Sequence, residues 1–343
     1  MICGNLSGLL VYDMKPIRLI NLGAVPSWQT QAVYHALAKR MDDDAQDTIV
    51  ICQPTEPYLC LGYHQIFESI FDPAECVRRG LPVYRRRLGG GATYLDKNQV
   101  FYQCIFHHTH VPAMLKDIFA FALDAPVAAL RGLGLNANLH DINEIEINGK
   151  RIAGTGGGRI GDATVVVGNV LFDFDYEAMT AVWQTPWTSF RQLAQQALRQ
   201  QIVTIKDLAL NLSMDQMADL LIAAYANSMK RPLEVGTLTP AEIQAAEEEA
   251  REMTSTEALS LHKVDSAPEP MRTLKISARA FIRHDEVRVD NYAVQGSFWL
   301  SEDVIQSAIL QSNPERDWDF VVQKLPGTSF KDWKQNLFLC VSS

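Results

Sequence analysis

Ile142-Asn143-Glu144-Ile145-Glu146-Ile147-Asn148-Gly149-Lys150-Arg151-Ile152-Ala153-Gly154 is the stretch on which the fold turns. Its two halves, Ile142–Ile147 and Arg151–Gly154, flank Asn148-Gly149. A type I′ turn needs positive φ at both central residues, and Asn-Gly adopts it at little cost, so the spacing predicts a two-stranded hairpin. Gly154–Gly161 then holds five glycines in eight positions, and Ala163–Phe174, rich in Val and Phe, reads as the next strand.

Upstream, Arg85-Arg86-Arg87-Leu88-Gly89-Gly90-Gly91-Ala92 runs three cations into three glycines, and Thr93-Tyr94-Leu95-Asp96 continues as a strand. Glycines let the main chain approach a ligand, their N–H groups can cup an anion, and arginine offers forked donors to phosphate or carboxylate. The spacing matches neither a Walker A loop nor a dinucleotide fingerprint. A second glycine run, Gly154–Gly158, also has an arginine beside it, Arg159. Between the two runs, Asn143-Glu144 near Lys150 or Arg151 could hold a metal-bridged phosphate, since Mg²⁺ usually takes one or two protein oxygens plus phosphate oxygens. Without a Walker lysine, that set fits adenylation of a carboxylate better than γ-phosphate transfer.

Elsewhere the patterns predict a helix over residues 28–40 with Ser27 as N-cap, and strands at Thr48–Cys52, Pro57–Gly62 and Gln99–Phe106. Helices are expected over Asp72–Gly80 and 111–134, and 177–250 is helix-prone. A linker is expected between Glu247 and Pro270. Two strands around Asp290-Asn291 and a helix at 301–311 should form a small C-terminal module. The expected fold is α+β: a mixed or antiparallel sheet with packed helices over residues 1–255, plus a small α+β domain at 271–343.

The 343 residues carry a formal net charge of −9, which argues against nucleic acid as a partner. Six scattered cysteines (Cys3, Cys52, Cys60, Cys76, Cys104, Cys340) lack metal-type spacing. Met1–Lys15 lacks a leader pattern, and no run reaches the ~18 apolar residues of a membrane span. The expectation is a cytoplasmic protein with reduced thiols and no membrane partner.

The ordered motifs resemble the lipoate–protein ligase family, within the biotin/lipoate ligase fold. The resemblance rests on Arg85-Arg86-x-x-Gly89-Gly90-Gly91-Ala92, Asp96, Asn143-Glu144 and Asn148-Gly149-Lys150-Arg151-Ile152-Ala153-Gly154-Thr155. Pro57–Gln65, Val170–Asp175 and Gln201–Lys206 resemble the family's other strand segments. Residues 271–343 resemble its accessory domain. The resemblance implies that lipoate and ATP form lipoyl-AMP, and that the acyl group passes to a lysine of a lipoyl-accepting carrier protein. It implies that Arg85 and Arg86 meet carboxylate and phosphates, that Gly89, Gly90, Gly91 and Ala92 wall the acyl chain, and that Gly154 and Thr155 line the adenylate. It also implies that Asn143 and Glu144 stand near Mg²⁺ and the α-phosphate. The family's usual catalytic lysine position is Arg151 here, with Lys150 one step earlier. Neighbouring strand residues point to opposite faces, so Lys150 could substitute only through a slip near the turn. An ATP-independent octanoyl or lipoyl transferase, which would need a thiol such as Cys76 or Cys104, and a non-catalytic ligand-binding homologue are the alternatives.

Other conspicuous residues have plainer readings. His107-His108-x-His110 reads as an exposed strand end, and Asp173 and Asp175 as outward strand positions. Glu247-Glu248-Glu249 reads as a solvated helix face, and Phe298 and Trp299 as core of the C-terminal module.

Overall fold

Asn148 and Gly149 take φ of 51° and 78°, so the predicted turn forms between strands Glu144–Ile147 and Lys150–Ile160. The structure, a computed structural model, describes residues 15–263, 269–277 and 279–341. Cys3 and residues 1–14 of the leader reading therefore lie outside the described residues.

The chain begins with β1 (Ile17–Val25), α1 (Ser27–Lys39), β2 (Thr48–Pro54), β3 (Tyr58–Leu61), α2 (Phe67–Ile70) and α3 (Pro73–Arg78). Next come β4 (Val83–Arg85), β5 (Thr93–Leu95), β6 (Gln99–His107), α4 (Leu115–Gly132), β7 (Ala137–His140), β8 (Glu144–Ile147), β9 (Lys150–Ile160) and β10 (Ala163–Leu171). Then follow α5 (Tyr176–Ala181), α6 (Thr188–Gln201), α7 (Met214–Ser228), β11 (Leu233–Val235), α8 (Pro240–Met253) and α9 (Thr256–Leu259). The last elements are β12 (Thr273–Lys275), β13 (Ala280–Val289), β14 (Tyr292–Ser301), β15 (Val304–Asn313), α10 (Asp319–Val322) and α11 (Trp333–Val341).

One unit takes the chain up to His64, Pro82–Phe174 and Thr204–Leu259; the other takes Gln65–Leu81, Asp175–Val203 and the chain from Ser260. The first unit is built on an eight-stranded sheet ordered β11-β1-β2-β6-β10-β9-β8-β7. β1 runs parallel to β2 and β11, and the remaining neighbours are antiparallel, so the sheet is mixed as expected. A three-stranded sheet, β4-β3-β5, carries the basic glycine-rich segment.

The two faces of the large sheet are covered differently, and strand alternation decides which residue serves which face. On one face, Val50, Phe101, Ile105 and Val165 pack with α1 residues such as Val33 and Leu37, with Leu88, and with Ala246 and Met253 of α8. On the other face Cys104 and Tyr102 meet Tyr225 of α7, and Phe119 of α4 lies against β9 at Gly157. Fully burying a Leu, Val or Phe side chain contributes roughly 1.5–3 kcal/mol, so these two layers hold the unit together.

The helix expected at Ser27 forms, but Ser27 is its first residue and no side chain caps it from Pro26. Glu56 instead accepts from the Ser27 N–H at 2.7 Å. The region expected as a linker remains helical through Met253 and again over Thr256–Leu259; residues 264–268 lie outside the described set.

The second unit contains the antiparallel sheet β12-β13-β14-β15. Its Asp290-Asn291 turn forms with Asp290 at φ 52°, and Phe298 is fully buried among Trp318, Val321, Trp333 and Leu337. The helix expected at 301–311 is strand β15. A register shift between Trp299 and Leu300 leaves Gln306 as the extra residue, so the inward positions run Ile305, Ala308, Leu310. That bulge places two inward residues three apart, which imitates a helical period in the sequence.

Candidate functional site

The two-residue turn and the sheet register dictate where the hairpin's charges go. Glu144 pairs with Gly154 and Ile145 with Ala153, but Glu146 then pairs with Arg151 and Ile147 with Lys150. Ile152 is the extra residue of a bulge, which reverses the alternation beyond it. Without the bulge Arg151 would face away from Gly154. With it, Arg151 joins Glu144, Glu146 and Gly154 on one face, and its guanidinium lies 3.6 Å from Glu144. Lys150 is exposed at the hairpin end. The slip does occur, and it turns Arg151 rather than Lys150 to the face of Gly154.

Asn143 Nδ2 donates to the Thr155 carbonyl at 3.0 Å, so Oδ1 is the amide atom not used in that bond. Glu144 Oε2 is buried with no hydrogen-bond partner among the described residues. Two adjacent oxygen donors of this kind fit the protein's share of a Mg²⁺ site completed by phosphate oxygens.

Gly154 and Gly156 share the face of Arg151, and Gly158 follows in the same row. A Cβ at Gly156 would meet nothing within 4 Å, and one at Gly154 would meet only Asn169 Oδ1 at 3.5 Å. At Gly158 it would come within 3.3 Å of Leu88, the residue inside the basic glycine-rich segment. The absent side chains thus leave a hollow that runs from Leu88 to Arg151. From Gly158 to Gly154 it extends about 13 Å at ~3.3 Å per residue. Register partners line it: Val165 beside Gly158, Val167 beside Gly156, and Asn169 beside Gly154, with Phe101 beyond Asn169. Gly157 has another reason for being glycine. Its Cβ would sit 2.9 Å from Phe119 on the opposite face.

Thr155 also belongs to that opposite face, where its hydroxyl meets Tyr102 Oη at 3.1 Å. Only its backbone borders the site. A separate depression of about 430 Å³ is lined by Phe172, Ile205, Lys206 and Ala209 among others, and none of the expected site residues lines it.

The three arginines divide their work. Arg85 is buried and donates to the carbonyls of Gly62, Tyr63, Ala258 and Leu259, tying the small sheet to α9. Arg86, also buried, donates to the carbonyls of Gly89 and Gly91 and to Cys60 Sγ, so it shapes the glycine turn from inside. Gly90 has φ +96°, and its missing Cβ leaves the room Arg86 needs, 2.9 Å away. Gly89 and Gly91 open onto free space, and Ala92 is half-buried beside them. Arg87 pairs with Glu249 at 3.0 Å and with Glu252. Glu249 also pairs with Lys39 and is buried, because the inward face of α8 carries it toward α1. The solvated-face reading of Glu249 is therefore corrected.

His35, fully buried, accepts from the Arg87 N–H at Nε2, 2.9 Å, so its Nδ1 carries the proton donated to the Gln31 carbonyl. Burial above all pushes its imidazole down from 6.5 to about 3. The unfolded chain therefore takes up the extra proton between these values. Stability from neutral His35 is complete above pH 6.5 and is lost as pH falls toward 3, by up to about 1.4 kcal/mol per unit. A His35→Gln variant should flatten the urea-midpoint profile between pH 5 and 7; an unchanged slope would count against this role.

Sequence reasoning missed His35, Gln99 and Asn169. Asn169 alone left a signal, a polar residue inside the apolar run Val165–Leu171. Of the plainer readings, His107 proves buried rather than exposed, with its backbone N–H donating to Asp47. Asp175 caps α5, and Asp173 pairs with Lys206. Among the described residues no His, Cys, Asp and Glu are gathered in threes as a metal site, and no helix is long and apolar enough to cross a membrane.

Residues 26–226 match the family model of the lipoyl protein ligase A/B catalytic domain. The chain is 25% identical over 207 residues to lipoate-protein ligase A subunit 1 of Thermoplasma acidophilum, covering 57% of this chain and 78% of that protein. It is 24% identical over 217 residues to the octanoyltransferase LipM of Kyrpidia tusciae, covering 56% and 79%. Among solved structures, the bipartite lipoate protein ligase of T. acidophilum, studied with its E2 lipoyl domain, superposes with a TM-score of 0.65 at 21% identity. That alignment covers 74% of this chain and all of the other. A lipoate-protein ligase A bound with ATP superposes at 0.61, also 21% identical, over 72% of this chain and all of the other.

Proposed function

We propose, from the premise that this chain belongs to the lipoyl protein ligase A/B catalytic-domain family, that it is an ATP-dependent lipoate–protein ligase. The matches by themselves make it an enzyme of the lipoate ligase/transferase family. One observation supports the finer reading: the β9 bulge that sets Arg151 beside Glu144 and Gly154 at the mouth of an apolar hollow. On this reading residues 1–255 carry the chemistry and 271–343 are accessory.

An aliphatic acid lies along Leu88, Val167 and Phe101 with its carboxylate at the Arg151 end. The carboxylate oxygen attacks the α-phosphorus of ATP and pyrophosphate leaves. Arg151 can grip the α-phosphate and acyl oxygens with its planar fork and offset the charge that builds there. Mg²⁺, when held by Asn143 and Glu144, supplies further neutralisation of the phosphates. The lysine amine of a lipoyl-accepting domain then attacks the acyl carbonyl, and AMP leaves. Arg86 keeps the Gly89–Gly91 turn in shape, while Gly89, Gly91 and Ala92 border the acyl chain.

The transferase alternative needs a reactive thiolate. Burial pushes the Cys104 thiol up to about 12, and burial with Asp72 and Glu75 does the same to Cys76. Cys104 faces Tyr225, on the side of the sheet away from the hollow. Buried thiols of this kind are inert. A Cys76→Ser, Cys104→Ala double variant should therefore acylate a lipoyl domain as the wild type does. With free octanoate or lipoate, transfer should require ATP. Transfer from an octanoyl carrier protein without nucleotide, lost in the double variant, would overturn the ligase reading.

A further inference from the structure

The fold leaves a buried amide donor, that of Gln99, unpartnered among the described residues on the face of the sheet that carries this hollow. The Gly154 backbone N–H donates to Asn169 Oδ1 at 3.2 Å. A backbone N–H can only donate, so the orientation of the Asn169 amide is fixed by chemistry. Its Nδ2 must then face Gln99, and it donates to Gln99 Oε1. That in turn fixes the Gln99 amide with Nε2 outward from this chain of bonds. Gln99 has no solvent exposure, and Nε2 meets no hydrogen-bond acceptor among the described residues. An amide donor left unpaired in such a place is destabilising, and a ligand acceptor removes that cost.

Gln99 lies on the same face as Phe101, because residues two apart on a strand do. It therefore stands at the polar end of the hollow, past Phe101 and next to Asn169, while Leu88, Val165 and Val167 line the apolar end. A ligand that matches both ends has an aliphatic tail and a head made only of acceptors. An ionised carboxylate is such a head.

We propose that Gln99 Nε2 donates to a carboxyl oxygen of the substrate acid, the oxygen that remains as the acyl carbonyl of the adenylate. This inference rests on the ligase reading for the identity of the acid. Gln99 is then a binding residue, and Asn169 is the positioning residue that couples it to the Gly154 backbone. The chain Gly154–Asn169–Gln99 makes recognition of the head group depend on the same strand that carries Arg151.

Calorimetric titration of the full chain with octanoate, and separately with ATP, tests the proposal on wild type, Gln99→Met and Gln99→Glu. Gln99→Glu keeps an acceptor for Asn169 while replacing the donor with an oxygen. Both variants should weaken octanoate binding by about tenfold or more, the range for a hydrogen bond to a charged group, and leave ATP binding unchanged. Circular dichroism of each variant reports the fold. Unchanged octanoate affinity, a wild type that does not bind octanoate, or a loss confined to ATP would each overturn the proposal. A wild type that binds octanoate through Gln99 yet forms no adenylate would sink the ligase reading alone.

Discussion

Replacing Arg151 with alanine should cut acid-dependent adenylate formation by about 10²–10³-fold, the cost of removing one donor aimed at developing charge. The fold should survive, because the side chain is partly exposed and pairs with Glu144 at 3.6 Å near the end of the hairpin. The pair is mostly shielded, 23% and 14% exposed, so its loss should cost more than the ~0–1 kcal/mol of a surface pair and should show as a lowered urea midpoint in a chain that still folds. Arg151→Lys should recover part of the activity, since the charge returns without the fork. Lys150→Ala should have little effect, because Lys150 is exposed at the turn. If activity followed Lys150 instead, the role assigned to the bulge would be wrong. Pyrophosphate release with lipoate or octanoate separates these outcomes, with circular dichroism as the check on folding.

Gly156→Val and Gly157→Ala should fail in opposite ways, although they are neighbours. A Cβ at Gly156 enters free space over the hollow, and valine suits a strand, so the chain should fold normally. Filling the hollow should then reduce use of the acid by about 10–200-fold, the scale of misfit for a small group in an apolar pocket. Gly157→Ala drives a methyl to 2.9 Å from Phe119 and 3.0 Å from the Val165 carbonyl. Overpacking of that kind costs about 1–3 kcal/mol, so this variant should show a lowered urea midpoint with its acid affinity retained. Equal loss of acid affinity in both would mean that the glycine run serves packing alone.

The sequence was most legible where one residue type answers one backbone demand. Asn148-Gly149 announced its turn through the positive φ that both residues take, and the glycine-rich strand announced a surface without side chains. It was least legible where parity reverses. The bulges at Ile152 and Gln306 each add one residue to a strand, and nothing in composition marks them. The first carried Arg151 onto the site face; the second made β15 read as a helix. Long-range partners were equally silent. Arg85 and Arg87 look like anion donors in a triplet, yet the carbonyls at the end of α9 and the acids of α8 claim them from far along the chain. Thr155, adjacent to Gly154, was expected on the adenylate, but alternation sends its hydroxyl to Tyr102.

Isotope exchange between pyrophosphate and ATP, run on the purified chain with lipoate, octanoate and biotin supplied separately, measures carboxylate activation without any acceptor protein. Exchange that depends on lipoate or octanoate, is absent with biotin and disappears in Arg151→Ala is the predicted result. Absence of exchange with all three acids, in a protein that still binds lipoate, would contradict the claim that the Arg151 face of this sheet makes acyl adenylates.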